Sequence, residues 1–303
     1  MSRSERVETE VGGRRLSLSH LDKVMFPATG FTKGQLIDYY ARIAPVMLPH
    51  VTDRPVTFRR YPDGVDSKSF FEKHVPSHAP GWLRTIEVPS TSSRGGGSEV
   101  EHPLICDLPA LVWAANLAVI EFHVPLWRVG RRRKLPAPPD QMVFDLDPGP
   151  GASIVECCRV AQWIAELMGE EGSEPLAKTS GSKGMQLYVP LTGRPTWERT
   201  RDRAHDLAVR LEGDHPELVV SSMTKAVRKD KVFIDWSQNS ASKTTVAAYS
   251  VRARSEPTVS TPVDWDEVAA CAASGDPDDL RFTTDEVLAR VEDRGDLFAP
   301  LDT

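Results

Sequence analysis

With 303 residues, 26% of them charged and 40% hydrophobic, the chain has the make-up of a water-soluble globular protein with enough sequence for a sizeable core. It contains no run of 18 apolar residues and starts with a charged rather than signal-like stretch, which argues against a membrane span or secretion and makes the cytoplasm the expected compartment. The formal net charge of −6 would also count against a nucleic-acid partner, except that residues 261–303 hold twelve acids and three bases, a net of −9, so residues 1–260 carry +3.

Within that mildly basic body the bases cluster: Arg59-Arg60, Arg128 with Arg131 to Lys134, Lys225 with Arg228, Lys229 and Lys231, and Arg252 with Arg254. Such runs are commonly solvated surface, yet local positive charge is what a phosphate-tracking groove needs. Cys106, Cys157, Cys158 and Cys271 lack the spacing of zinc ligands and read as reduced, mostly structural thiols.

In chain order, Thr32 and Gln35 fit a capping box that opens a helix with Leu36, Ile37, Tyr40, Ala44 and Met47 as its buried stripe. Just before it, Lys23 and Lys33 flank the Pro27-Ala28-Thr29-Gly30 turn at a helix N-terminus, where exposed amides suit a phosphate; ordinary surface lysines are the plainer reading of that spacing. A strand is expected over Arg54 to Arg60, followed by Ser69 to His74. Adjacent Phe70 and Phe71 cannot both face one core there, so one is expected to point away, as a base-stacking platform or as cover for a second layer. Residues 81–105 read as a hairpin whose tip, Ser90 to Ser98, should be mobile. Asp107 starts a buried helix, and the strand Ile120 to Trp127 puts His123 on the face of Glu121; a lone histidine there is ordinarily hydrogen-bonded structure.

The stretch Gln141 to Gly151 follows. At strand period Met142, Phe144 and Leu146 point one way and Val143, Asp145 and Asp147 the other, so the two carboxylates share a face roughly 7 Å apart. Pro148, Gly149 and Gly151 end the strand and leave the acids at its mouth. That spacing suits a metal, but Asp-x-Asp also occurs in loops, calcium sites and sugar-nucleotide transferases, and a plain acidic strand end fits it too. Ser153 and Glu156 form a second capping box on a helix ending near Gly169. Thr179 to Gly184 then makes a Gly/Ser/Lys turn between strands, a plausible phosphate nest though not a P-loop, because a strand rather than a helix follows. After a helix over about Thr196 to Glu212, Lys231 to Asn239 reads as a strand carrying Asp235, an acid among aromatic and β-branched residues that needs a cation or donors. Residues 244–254 read as one more strand, and the acidic remainder as two short helices, the second with a Thr283/Glu286 capping box. Without repeat or linker, 1–303 reads as a single domain, with a core over 15–300 and an acidic helical segment over 261–303.

These segments together resemble the polymerase domain of bacterial DNA ligase D and its stand-alone relatives, in the archaeo-eukaryotic primase superfamily. The resemblance rests on Asp22-Lys23-Val24 through Gly30, Gly64-Val65-Asp66 with Phe70-Phe71-Glu72-Lys73, His123-Val124-Pro125, Phe144 to Gly149, Thr179 to Gly184, and Asp235 to Ser240, in collinear order. With no ligase or nuclease segment in the sequence, the free-standing form is expected. The resemblance implies an α+β fold with a largely antiparallel central sheet flanked by helices. It also implies that Asp145, Asp147 and Asp235 bind two divalent ions, manganese or magnesium, and that the chain adds nucleotides, often ribonucleotides, to primer 3′ ends at DNA gaps or overhanging break ends. Ser180 and Lys183 would contact the triphosphate, with Arg252, His123, Gln186 and Gln238 around the NTP or dNTP. Lys23 and Lys33 would grip a recessed 5′ phosphate, while Arg60, Phe70, Phe71, Lys73 and Arg228 would meet the DNA. A separate ligase and end-binding protein are the implied partners, and a nucleoid-associated cytoplasmic place follows.

One departure stands out. The family motif continues from the Ser-Gly-Ser-Lys-Gly turn to a histidine, where this chain has Gln186, an uncharged donor from which a weaker hold on nucleotide is expected. Two other readings therefore remain: an end-bridging factor that polymerises poorly, and metal-dependent sugar-nucleotide transfer, which leaves Lys23, Lys33 and the phenylalanine pair unexplained.

Overall fold

In a computed structural model, which describes residues 6–89, 99–130 and 135–302, the strand Gln141–Pro148 lies inside a six-stranded sheet. The expected mobile tip over 90–98 and the basic run over 131–134 fall outside the described residues. Met185–Pro190 and Val232–Asp235 flank Gln141–Pro148, both antiparallel to it. Leu176–Thr179 and then Pro262–Val263 extend the sheet beyond Met185–Pro190, and Val219–Val220 closes the far edge in parallel with Val232–Asp235.

Side-chain alternation decides what covers each face. Met142, Phe144 and Leu146 lie fully buried in one core with the helices Ile154–Glu170 and Trp197–Asp214. Val143, on the opposite face, joins a second core built on the helices Lys33–Val51 and Leu108–Asn116. That second core also fills one side of a four-stranded antiparallel sheet, ordered Thr245–Val246, Val119–Val124, Thr57–Arg60, Phe70–Glu72. Phe122 sits at its centre, its ring 4.9 Å from Tyr40 and 5.7 Å from Phe58. The largely antiparallel α+β architecture expected from the sequence is therefore present, as are the capping boxes at Thr32, Ser153 and Thr283.

Two strands differ from expectation. The segment Lys231 to Asn239 stops being a strand at Asp235 and turns into the short helix Trp236–Gln238. Asn239, fully buried, explains how the ladder survives: its Oδ1 accepts from the Val143 amide at 2.9 Å and its Nδ2 donates to the Val143 carbonyl at 2.7 Å. One side chain thus satisfies the backbone that a longer strand would have paired. Residues 244–254 form two short strands, Thr245–Val246 and Val251–Ala253, because the chain turns through Tyr249 at φ 66. The buried Tyr249 hydroxyl donates to Asp296, anchoring that turn to the C-terminal segment.

The acidic segment is part of the same packing. Phe298 and Leu301 enter the second core, and the two arginines Arg290 and Arg294 pair with Glu267 and Asp264 inside the segment itself. Among the described residues no helix is long and apolar enough to cross a membrane.

The start of Gln141–Pro148 is tied to the four-stranded sheet by Arg54. Its guanidinium, 1% exposed, binds Asp140 through two hydrogen bonds of 2.9 and 2.8 Å and donates to the Pro125 carbonyl at 3.0 Å. Breaking the carboxylate contact of a buried guanidinium is costly, whereas removing both members of the pair is tolerated. Asp140→Ala should lower unfolding free energy by about 3 kcal/mol in urea titrations, and Arg54→Met combined with Asp140→Ala should restore most of it. A single variant that loses under about 1 kcal/mol would show the pair to be dispensable.

Candidate active site

Antiparallel pairing sets Asp145 directly opposite Asp235 on one side and Gln186 on the other. Residues opposite one another share a face, and Asp147 lies two residues further along that face. The three carboxylates consequently converge, with one oxygen of each within 4.8 Å of the others. Burial, then the charge of Asp147, pushes Asp145 up to about 7, with the Gln186 hydrogen bond opposing. Asp147 is likewise raised, by burial and then Asp235. Asp235 is better supplied: its Oδ1 accepts from the Ser237 amide at 3.0 Å and hydroxyl at 2.6 Å, and its Oδ2 from Gln238 Nε2 at 3.0 Å. Three converging carboxylates, two of them raised by burial and by a neighbouring acid, are a donor set for a divalent cation, so the residues present fit a metal.

Asp145 and Asp147 open into a cleft of about 540 Å³ between the two sheets, shared with His123, Ser180, Lys183, Gln186, Arg228 and Arg252. A smaller void of about 420 Å³ lies behind the Ser180 to Gly184 turn, lined by Ala152, Thr258 and Phe282 and away from the carboxylates. The turn itself is pressed onto the acidic strand: a Cβ at Gly184 would stand 2.1 Å from the Leu146 carbonyl oxygen. Ser180 Oγ accepts from the amides of Ser182 and Gly184, both at 3.2 Å, which leaves its own hydroxyl hydrogen to donate outward. Lys183 is exposed, whereas Arg252 is held by the Ser180 carbonyl at 2.7 Å. Arg228 reaches the other rim, its guanidinium 3.5 Å over the Phe233 ring. There a Cβ at Gly149 would collide with the Arg228 carbonyl oxygen at 1.7 Å.

Glu121, which the sequence reading left without a role, organises the opposite wall. It is 1% exposed and accepts from His123 Nε2 at 2.9 Å and the Ala253 amide at 3.2 Å, with Arg252 and Arg59 each 3.4 Å away. Burial alone would raise its pKa, but His123, Arg252 and Arg59 outweigh it and bring Glu121 down to about 2. His123 is lowered by burial despite that carboxylate. A neutral imidazole donating to Glu121 through Nε2 keeps Nδ1 as an acceptor.

Lys178 was also missed. It is 1% exposed, directly opposite Gln186, and donates to Gln186 Oε1 and Ser260 Oγ, both at 2.6 Å. Gln186 in turn donates to Asp145 Oδ1 at 3.0 Å. Both ends of the amide are thus engaged, on Lys178 and on a triad carboxylate. The hairpin centred on Ser182 already implied the Lys178/Gln186 pairing, and counting back from that turn would have found it.

Of the residues expected to meet DNA, Arg228 lines this cleft and the others lie outside it. Phe70 and Phe71 are both exposed, not one of them, since Phe70–Glu72 is an edge strand with neither face covered by a core. Arg60 and Arg59 lie 5.4 and 5.3 Å from their rings, and Phe71 contacts His123 edge-on at 5.5 Å. Arg60 itself is engaged with Glu72 at 3.0 Å and the Leu117 carbonyl at 2.9 Å, while Lys73 is exposed. Lys23 pairs with Asp63 at 2.8 Å, and Lys33, 5% exposed, donates to the Ser19 carbonyl. Burial first, then Lys23 and Arg60, lowers Lys33 to about 8, so these three cations sit within electrostatic reach of one another. Gln238 holds Asp235 instead of lining the cleft.

Comparison with known proteins places this architecture. The family model of the LigD primase-polymerase domain matches residues 32–298. The multifunctional non-homologous end joining protein LigD of Mycolicibacterium smegmatis is 44% identical over 288 residues, covering 95% of this chain and 36% of that protein. The bifunctional LigD of Bacillus subtilis is 32% identical over 282 residues, 93% of this chain and 43% of that protein. This chain thus spans well under half the length of these curated relatives. Among solved structures, the polymerase domain of Mycobacterium tuberculosis ligase D in complex with DNA superposes with a TM-score of 0.88 at 42% identity, covering 95% of this chain and 98% of that one. The chain belongs to the LigD primase-polymerase domain family.

Proposed function

We propose that this chain is a template-dependent nucleotidyltransferase that extends primer 3′ ends at DNA gaps or overhanging break ends, preferring ribonucleotides, during end-joining repair. The observation that carries the reading is the convergence of Asp145, Asp147 and Asp235, the first two lining one cleft with the Ser180 to Gly184 turn and Arg252. We read 15–300 as one catalytic unit for that reaction, and a separate ligase and end-binding protein as its partners at the nucleoid.

Two divalent ions, manganese or magnesium, held by the three aspartates would supply activation of the primer hydroxyl and neutralisation of the triphosphate. The Ser180 hydroxyl and Lys183 ammonium bind phosphate oxygens, and Arg252, positioned by Glu121, offsets their charge. His123 offers Nδ1 to a sugar hydroxyl. Phe71, in edge contact with His123, presents its ring to a template base next to the incoming nucleotide. Lys23, Lys33 and Arg60 form a separate cationic patch suited to a recessed 5′ phosphate, with Lys23 exchanging Asp63 for it. Arg228 reaches the primer side. The end-bridging alternative drew on Gln186, yet that residue keeps a hydrogen bond on Asp145 inside an intact carboxylate set, which favours catalysis.

Asp145→Ala and Asp235→Ala should each abolish primer extension while leaving gapped-DNA binding unchanged or slightly tighter, because repulsion between carboxylate and phosphate is relieved. Undiminished extension by both variants would remove these residues from the chemistry.

The 5′-phosphorylated gap should bind more tightly than its hydroxyl counterpart by about 1–3 kcal/mol, and the Lys23→Ala/Lys33→Ala double variant should lose the preference. Because Lys33 titrates near about 8, the preference should be fullest below that pH and weaken as pH rises through and above it. Fluorescence anisotropy over pH 6.5 to 9.5 reads this directly, and equal affinities at pH 7 would refute the phosphate site.

Ribonucleotides should be incorporated with higher kcat/KM than deoxyribonucleotides, and His123→Ala should narrow the ratio more than it slows either reaction. Loss of both activities in equal measure would deny His123 any part in sugar choice.

A further inference from the structure

The geometry points to Lys178 as a positioning residue that, through the Gln186 amide, holds Asp145 in the orientation its metal-binding role requires; this rests on the polymerase reading above. Lys178, Gln186, Asp145 and Asp235 form a single row across four adjacent strands, each opposite the next. Lys178 is absent from the cleft lining and 1% exposed, so it does not meet nucleotide or DNA. A buried amine is costly, and a methionine would fill the same space without that cost. What the amine supplies is directionality.

An amide between an amine donor and a carboxylate acceptor has one stable orientation. Lys178 Nζ donates to Gln186 Oε1 at 2.6 Å, Tyr188 Oη adds a contact to the same oxygen at 3.3 Å, and Nε2 is left facing Asp145 Oδ1 at 3.0 Å. Rotating the amide by half a turn would set its oxygen against the carboxylate and its NH2 against Nζ, two repulsive contacts in place of two hydrogen bonds. Lys178 itself is kept in place by Ser260 Oγ at 2.6 Å. Were Nζ neutral it could also accept from the flipped NH2, but the amide oxygen would still stand against the Asp145 carboxylate, so the same orientation is preferred. The departure from the family histidine at position 186 is in this light a glutamine with a dedicated orienting partner.

The test measures Mn2+ binding directly, by electron paramagnetic resonance of the free ion, without DNA or nucleotide. Wild type should bind Mn2+ and Asp145→Ala should not; if wild type fails to bind, the metal reading itself falls. Given wild-type binding, Lys178→Met should weaken Mn2+ affinity by about tenfold or more, the usual effect of removing a partner behind a ligand, with thermal stability unchanged or raised. Lys178→Gln, which keeps a donor, should retain affinity within about threefold of wild type. The pair Lys178→Met/Gln186→Met should bind Mn2+ no worse than Gln186→Met alone, since the lysine acts only through the amide. Unaltered affinity in Lys178→Met, or additive losses in the double variant, would overturn the proposal. If Lys178→Met does not fold, the Lys178→Gln variant and the comparison of the two Gln186→Met backgrounds decide it alone.

Discussion

Asp145 and Asp235 face each other across neighbouring antiparallel strands, with Asp147 two residues on, an arrangement that like charges resist. Much of the surrounding structure is a response to that repulsion. Trp236–Gln238 turns away from the ladder immediately after Asp235, which brings Ser237 and Gln238 back to donate to its two oxygens. Asn239 then repairs the ladder at Val143, so the strand carrying Asp145 loses no backbone pairing. On the other side Gln186 donates to Asp145 with Lys178 behind it. Asp145 and Asp147 remain raised in pKa even so, and that residual demand for positive charge is what a divalent cation would satisfy.

The opposite wall of the cleft is governed by the converse constraint. Arg59, Arg252 and His123 gather around Glu121, the buried anion that holds them together. Because Glu121 and His123 lie two residues apart on one strand, and Arg252 on a short strand beside it, this cluster is built on sheet rather than loop. Arg54 and Asp140 fix this sheet to the start of the acidic strand, so the two halves of the cleft share an ion pair whose guanidinium is buried. The cationic group of Lys23, Lys33 and Arg60 lies outside the cleft, on the side carrying the exposed edge strand with Phe70 and Phe71.

Much of this was legible in the sequence because it depends on local rules. Period-two alternation around Asp145 and Asp147 placed both acids on one face, and the capping boxes at Thr32, Ser153 and Thr283 marked where helices begin. Proline and glycine after Asp147 ended the strand where the structure ends it. Local reasoning failed where a strand's end is decided by distant partners: Val232–Asp235 stops early because Asn239 can serve Val143, and 244–254 breaks because Tyr249 reaches Asp296. It failed again at Phe70 and Phe71, where exposure depends on whether anything packs over an edge strand.

The amino-acid order by itself determined which residue types stand at strand spacing and which turns separate them, since alternation, capping and turn chemistry act over a few residues. Only the tertiary structure decided that Asp235 would stand opposite Asp145, that Lys178 and Gln186 would complete the same row, and that Glu121 would gather Arg59, Arg252 and His123. Register between strands as far as about 120 residues apart is set by burial of whole faces in two cores, a property of the assembled sheet that no window of sequence contains.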